Sequence, residues 1–218
     1  MIERLTRLRR DRHQEAKAWK QRTGKKVIGV FCCNVPEELI YAAGMLPVRI
    51  MGEQEEATEG DLHFPTNVCP YPKRCFDQAL KGRYDYLDGV VVPNVCDMIR
   101  AIYGAWRLNL DIPYVQFLEV PQRISPQGAE FFRQVLSRFQ SSLKELSGNS
   151  ISTESLRQAI DVYNRNRALL RQGYELRKKG LVSAVELQGM VLSSMLMPKE
   201  EHNQLLARCL EEAGQRRP

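Results

Sequence analysis

The sequence lacks any apolar run approaching the length of a membrane span, so no membrane association is expected. Its opening, MIERLTRLRR, is cationic but has no apolar stretch behind it, so a secretory leader is not expected either. No G-x-x-x-x-G-K-[ST] motif occurs, and no G-x-G-x-x-G follows the first candidate strand. Nucleotide hydrolysis on a phosphate loop and dinucleotide binding of the usual kind are therefore not expected. No C-x-x-C pair is present, which argues against a structural zinc site of common spacing and against a thioredoxin-type redox pair. Histidine is scarce. His13, His63 and His202 lie in dissimilar polar contexts and read as surface residues rather than as a ligand set.

What is present is a folded-protein composition. At 218 residues the chain can bury one good core or two small ones. Six cysteines without an export signal point to a reducing, cytoplasmic compartment, where thiol chemistry or metal binding is favoured over disulfides. The net charge of +6 is uneven: residues 1–26 carry a balance of +7, so the rest is slightly acidic. That excess falls on one expected N-terminal helix, with Leu5, Leu8, Ala16 and Trp19 inward. A solvated helix or a docking arm for an acidic partner fits this better than a nucleic-acid face.

Four short apolar runs read as strands: KVIGVF (26–31), LPVRIM (46–51), LDGVVV (87–92) and IPYVQFL (112–118). None alternates cleanly, as suits strands buried on both faces of a parallel sheet. Expected helices separate them. One follows NVPEE, with Asn34 and Glu37 as a capping-box-like start; others run over 75–81 and 96–109. The pattern is an α/β, Rossmann-like open parallel sheet of about four strands. From Ser125-Pro126 onward it becomes helical. Ser152 or Thr153 caps a long helix whose inward face is read as Leu156, Ile160, Tyr163, Leu170 and Tyr174. Gly180 ends that helix, SAVE (183–186) is a further capping box, and Pro198 opens the last helix. The domain reading is a basic helix over 1–25, an α/β domain over 26–125 and a helical region over 126–218.

The cysteines fall unevenly on this frame. Ligands of open parallel sheets bind outside the carboxyl ends of the strands. Cys32 follows strand one, Cys96 follows strand three, and Cys69 lies in the long connection leaving strand two. Three separate segments thus converge on one edge. Cys96 also heads a helix, where first-turn N–H groups favour negative charge. Cys33, Cys75 and Cys209 read as packing residues. Lys73 and Arg74 read as solvated cations. Dispersed thiolates suit an iron–sulfur cluster better than zinc.

The segments VIGVFCCNVPEELIYAAGMLPVRIMG, NVCPYPKRCFDQALKGRYDYLDGVVVPNVCDMIRAIYGAW and AIDVYNRNRALL together resemble the 2-hydroxyacyl-CoA dehydratase/benzoyl-CoA reductase family over about residues 26–213. LDGVVVPNVCD looks more like the benzoyl-CoA reductase branch. The resemblance implies a [4Fe-4S] cluster held by Cys69 and Cys96, with a third ligand from a second α/β domain or from Cys32, as in relatives with double-cubane clusters. It implies an acyl-CoA substrate, an ATP-dependent iron–sulfur activator that injects an electron at low potential, and a homologous subunit or second half completing the site. It places Glu38 near the active site, to orient substrate or move a proton; as a first-turn acid Glu38 equally stabilises its helix, and Glu37 is assigned to capping. Two other readings stand beside this one: half of a double-cubane reductase of small molecules, and a non-catalytic binding or assembly module that kept the fold.

Overall fold

The computed structural model describes residues 2–53 and 57–217. The chain forms two compact units, one of residues 25–151 and one in which the first helix joins the helices after residue 151.

The first unit is built on four parallel strands, β1 (Val27–Val30), β2 (Leu46–Arg49), β3 (Gly89–Pro93) and β4 (Val115–Leu118), in the order β2-β1-β3-β4. Every residue of β1 and β3 is buried, which is why neither sequence alternates. The chain steps one way from β1 to β2 and the other way from β2 to β3 to β4. Right-handed crossovers then put α2 (Glu37–Ala42) on one face and α3 (Pro70–Leu80) and α4 (Asp97–Asn109) on the other. Accordingly α3 lies beside α4, and α2 beside α5 (Pro126–Ser147). Trp106 of α4 is fully buried, edge-on to Phe31 with centroids 5.3 Å apart.

The expected start of α2 does not form as a capping box. Pro36 precedes the helix, no side chain caps it, and Asn34 takes a left-handed φ of 66° instead. Helix α3 begins five residues before the expected Cys75, because Pro70 is preset for a first helical turn. Helix α5 starts as read, with Ser125 Oγ accepting the Gly128 amide at 3.0 Å. Contacts group α5 with the sheet rather than with the later helices, so the division lies near residue 151, not 125. Tyr114 and Ser142 hydroxyls meet at 2.8 Å, and Asn149 donates to the Ala43 carbonyl at 3.2 Å.

The second unit packs α1 (Ile2–Thr23) on α7 (Ala184–Ser194), and α6 (Thr153–Lys178) on α7 and α8 (Lys199–Gly214). Leu5, Leu8 and Ala16 are buried as read, and Trp19 is half-buried. Gly189 is required here: a Cβ on it would come within 2.6 Å of Thr6 Cγ2 across the α1–α7 contact. Ser152 caps α6, and Ser183 with Glu186 completes the capping box of α7. Among the described residues no helix is long and apolar enough to cross a membrane.

The inward face of α6 differs from the expectation. Ile160 and Tyr174 are 40% and 50% exposed, and the buried stripe is Ala159, Tyr163, Asn166, Leu169 and Gly173. A search for apolar periodicity misses this stripe because a polar residue stands at its middle. Asn166 donates to Asn203 Oδ1 at 2.7 Å and meets His202 Nδ1 at 2.7 Å. His202, read from the sequence as a surface residue, is fully buried. Its Nε2 lies 3.1 Å from the Met190 carbonyl, which can only accept. The proton therefore sits on Nε2, and Nδ1 accepts from Asn166. Burial, with the nearby Lys199 cation, pushes the imidazole pKa down to about 4.

A base whose folded pKa lies below its unfolded value stabilises the fold fully above pH 6.5, and loses that contribution as pH falls toward 4. The amount is about 3 kcal/mol. Urea unfolding of the wild type should weaken by this order between pH 7 and 4 relative to His202→Gln, whose stability should lack this component of the pH slope.

Candidate functional site

The direction of strand addition reverses between β1 and β3, and an open α/β sheet forms its binding crevice at such a point. The Phe31 amide still bonds the Val91 carbonyl at 3.1 Å, so the ladder continues one residue past β1. The backbone then turns sharply: Cys32 has φ 48° and Asn34 φ 66°. All other left-handed residues among those described are glycines. A non-glycine residue held there costs roughly 1–2 kcal/mol, so the surroundings must impose the turn.

Two helices begin at the same edge. Cys69 is the N-cap of α3 and Cys96 the N-cap of α4. Serine, threonine, aspartate or asparagine would ordinarily bond a first-turn amide from this position. Neither thiol does so, and both are exposed.

The heptad CPYPKRC places Cys69 through several independent ties. Pro70 sets the first turn and Pro72 and Cys75 are buried. Tyr71 donates its hydroxyl proton to the Ile50 carbonyl at 2.8 Å, and its oxygen takes the Cys32 amide. Burial raises the Tyr71 phenol far above its ordinary pKa, so it remains a donor. Lys73 pairs with Asp61 at 2.6 Å, so it is engaged in a loop contact rather than solvated. Gly52 admits the helix: a Cβ there would lie 2.5 Å from Arg74 Cβ. Asp77 then accepts the Glu59 and Gly60 amides at 2.9 and 3.2 Å and the Lys81 ammonium at 2.7 Å. Burial alone would raise its carboxyl; these bonds outweigh that and hold it below its usual value.

Cys32 is half-buried, and burial pushes its thiol up, with the charges of Cys33, Cys96 and Cys69 adding and Arg49 opposing. The thiols are thus electrostatic neighbours. Among the described residues, however, no three His, Cys, Asp or Glu side chains are set to hold one metal ion. Arg49, at the end of β2, faces Glu37 across 3.7 Å, with side chains 20% and 15% exposed.

A family profile described as 2-hydroxyglutaryl-CoA dehydratase, D-component, matches residues 32–218. The chain belongs to this family. It is 35% identical over 197 residues to a benzoyl-CoA reductase subunit from Thauera aromatica, covering 88% of this chain and 51% of the relative. It is 29% identical to the (R)-phenyllactyl-CoA dehydratase beta subunit of Clostridium sporogenes, covering 88% and 52%. It is 30% identical to the beta subunit of (R)-2-hydroxyglutaryl-CoA dehydratase from Acidaminococcus fermentans, covering 84% and 50%. The chain therefore spans about half the length of the curated relatives it matches, and each of the three is named as a subunit.

In this member of the dehydratase D-component family, Cys32, Cys69 and Cys96 do lie at one sheet edge. Cys75 and Cys209 are buried, as packing residues should be. Cys33 is exposed, not packed, because the left-handed turn at Cys32 breaks the strand alternation that would carry it inward. Glu38 lies half-buried in the first turn of α2, while Glu37 pairs with Arg49 instead of capping. Tyr71 and Arg49 escaped the sequence reading. A lone cation closing the otherwise apolar strand LPVR was the available signal for Arg49; Tyr71 stood unmarked between two prolines.

Tyr71→Phe removes one hydroxyl that serves two backbone groups. It should lower stability by about 1–3 kcal/mol in urea unfolding, and it should speed alkylation of Cys32 relative to Cys96 as the Cys32 turn loosens.

Proposed function

We propose that this chain is the iron–sulfur half, or a half-size subunit, of an acyl-CoA dehydratase or reductase, with Cys69, Cys96 and Cys32 as ligands of a [4Fe-4S] cluster. The observation that carries this reading is the pair of helix N-caps occupied by thiols that do no capping. The donor set fits. Thiolates are the usual ligands of such clusters, and the thiols here are free, come from three segments and share one edge. A cubane spreads its thiolates over different irons, so its ligands stand wider apart than those of a single ion.

Bound there, the cluster would supply low-potential one-electron transfer to an acyl-CoA thioester. The chain's own residues do the rest. Two helix N-termini offer first-turn amides and a positive dipole end to an anionic group. Tyr71 fixes the Cys32 turn against Cys69. Glu38 is assigned to orient substrate or move a proton, a role worth typically 10²–10⁴-fold in rate. The same reading requires an ATP-hydrolysing iron–sulfur activator, a homologous subunit or second half, and a cytoplasmic, oxygen-poor setting. A double-cubane cluster is the second reading, favoured by exposed Cys33, which brings a fourth thiol to this edge.

Anaerobic reconstitution tests both readings. Cys69→Ser and Cys96→Ser should each lose most bound iron and its broad visible absorbance, and Cys209→Ser should lose neither. Full iron in the Cys69/Cys96 double variant would sink the proposal. Cys32→Ala should lower iron as far as Cys96→Ala if this domain supplies three ligands, and only slightly if a partner supplies the third. About eight irons per site in place of about four would select the double cubane.

Glu38→Gln should retain iron and lower kcat of the assembled enzyme by at least about 10²-fold. Unchanged turnover would return Glu38 to a purely helix-stabilising role.

A further inference from the structure

The two residues of α6 that local pattern would bury, Ile160 and Tyr174, stand in solvent, 40% and 50% exposed. They belong to a second stripe. Arg157, Ile160, Asn164, Arg167, Arg171 and Tyr174 follow one another at spacings of three and four, and all six are exposed. Such spacing presents a straight seam to a neighbouring helix. The seam is about 26 Å long, and its two apolar residues lie about 21 Å apart. Arg167 donates to Asn164 Oδ1 at 2.9 Å and lies over the Tyr163 ring, so its guanidinium is held on this face. Glu175, one turn from Arg171, pairs with Lys178 at 2.7 Å instead. The whole unit agrees in sign. Residues 1–24 and 152–218 hold 19 lysines and arginines against 11 acids, a balance of +8, whereas the α/β unit stands at −2.

We propose that this face of α6 docks an acidic amphipathic helix of a partner protein. Two apolar residues of that helix, two heptads apart, would seat against Ile160 and Tyr174, and its carboxylates would face Arg157, Arg167 and Arg171. Protein interfaces concentrate arginine and tyrosine and deplete lysine, which enters this seam only at its end, as Lys178. Opposite charge speeds the encounter and sets the register, and the apolar pair supplies the area removed from water. A second copy of this chain does not suit the face, because two such seams would set arginine against arginine. A phosphate backbone suits it less than a helix does. Exposed Asp161 and Glu175 flank the seam and would repel phosphate, and Ile160 gains nothing from it. No iron enters this contact, which lies outside the iron–sulfur reading.

The probe is a synthetic helical peptide matched to the seam, with two leucines two heptads apart and glutamates at the seam positions between them. Its controls are the same peptide with lysine for glutamate and a single-stranded RNA of similar length. Binding to the full chain, without iron, is read by fluorescence anisotropy. The glutamate peptide should bind, less tightly as salt is raised, and the lysine peptide should not. Arg157→Glu with Arg171→Glu should weaken binding at least about tenfold, and Ile160→Ser with Tyr174→Ser by a similar factor. Arg4→Glu with Arg208→Glu makes the same charge change at exposed positions elsewhere in the unit, and should stay within about twofold of wild type. All these positions are exposed, so the variants keep the fold, and circular dichroism checks that they do. A glutamate peptide that fails to bind, or equal losses in the two charge-reversed pairs, would overturn the proposal. Tighter binding of the RNA, lost in the Arg157/Arg171 variant, would overturn it too and make the face a nucleic-acid surface. Iron content enters no arm, so failure here leaves the cluster reading standing, and a wild type that binds no iron leaves this contact to be decided by the peptide.

Discussion

The Tyr71 hydroxyl is the contact on which the site depends. It joins three pieces of chain that are far apart in sequence: the turn after β1, the end of β2 and the first turn of α3. Without such a tie, a left-handed Cys32 would relax toward the extended backbone its side chain prefers. The two prolines around Tyr71 have a matching physical purpose. Pro70 presets the first helical turn, and Pro72 fills the apolar layer beneath, so the phenol is presented at a fixed height above the sheet. The edge-on contacts of Phe31 with Tyr71 and Trp106 carry this order into the core. Local chemistry, then, explains why thiols stand in loops here: they are the ends of rigid elements whose positions are set from below.

Exposure of those thiols is the other side of the same constraint. Buried cysteine is the ordinary outcome for a free thiol, and Cys75 and Cys209 follow it. Cys69 and Cys96 are held out of the core by their positions at helix N-termini, where the chain enters from a loop. Cys32 is intermediate, and burial with its neighbouring thiols raises its thiol although one nearby cation partly opposes them. Arg49 supplies that cation from a strand end where an apolar residue would pack with less cost. Placing charge beside a group that is costly to ionise is the usual arrangement at sites built for chemistry rather than for stability.

The parts of the fold legible in the sequence are those set by short-range rules. Strand cores, the caps at Ser125, Ser152 and Ser183, and the sheet edge receiving Cys32, Cys69 and Cys96 all follow from local pattern and the crossover rule. What the sequence concealed was decided by partners distant along the chain. The inward face of α6 turns on Asn166, which becomes buried only because His202 and Asn203 of α8 complete its hydrogen bonds. Glu37 looks like a capping residue until β2 places Arg49 beside it. Cys33 would alternate inward on an ideal strand, and only the left-handed turn at Cys32 carries it out. Helix α5 reads as the start of a new region because its pattern is helical like the residues after it, yet it lies on the sheet through Tyr114 and Asn149.

Two of these failures, at Asn166 and at Glu37 with Arg49, share a cause, and it bears on function. Periodicity counts apolar residues, so it is blind wherever a polar or charged group is buried with its partners. In the helical unit that blindness hides a fully bonded neutral network around His202, in which each donor finds an acceptor and the result is a specific packing of α6, α7 and α8. At the sheet edge it hides Arg49, where the bonding is incomplete and a guanidinium nitrogen is left unmet. A saturated polar cluster is explained by the fold that contains it. An unsaturated one, beside three free thiols and a strained turn, is not, and it is at such an edge that a residue's charge is available to act on something other than its own structure.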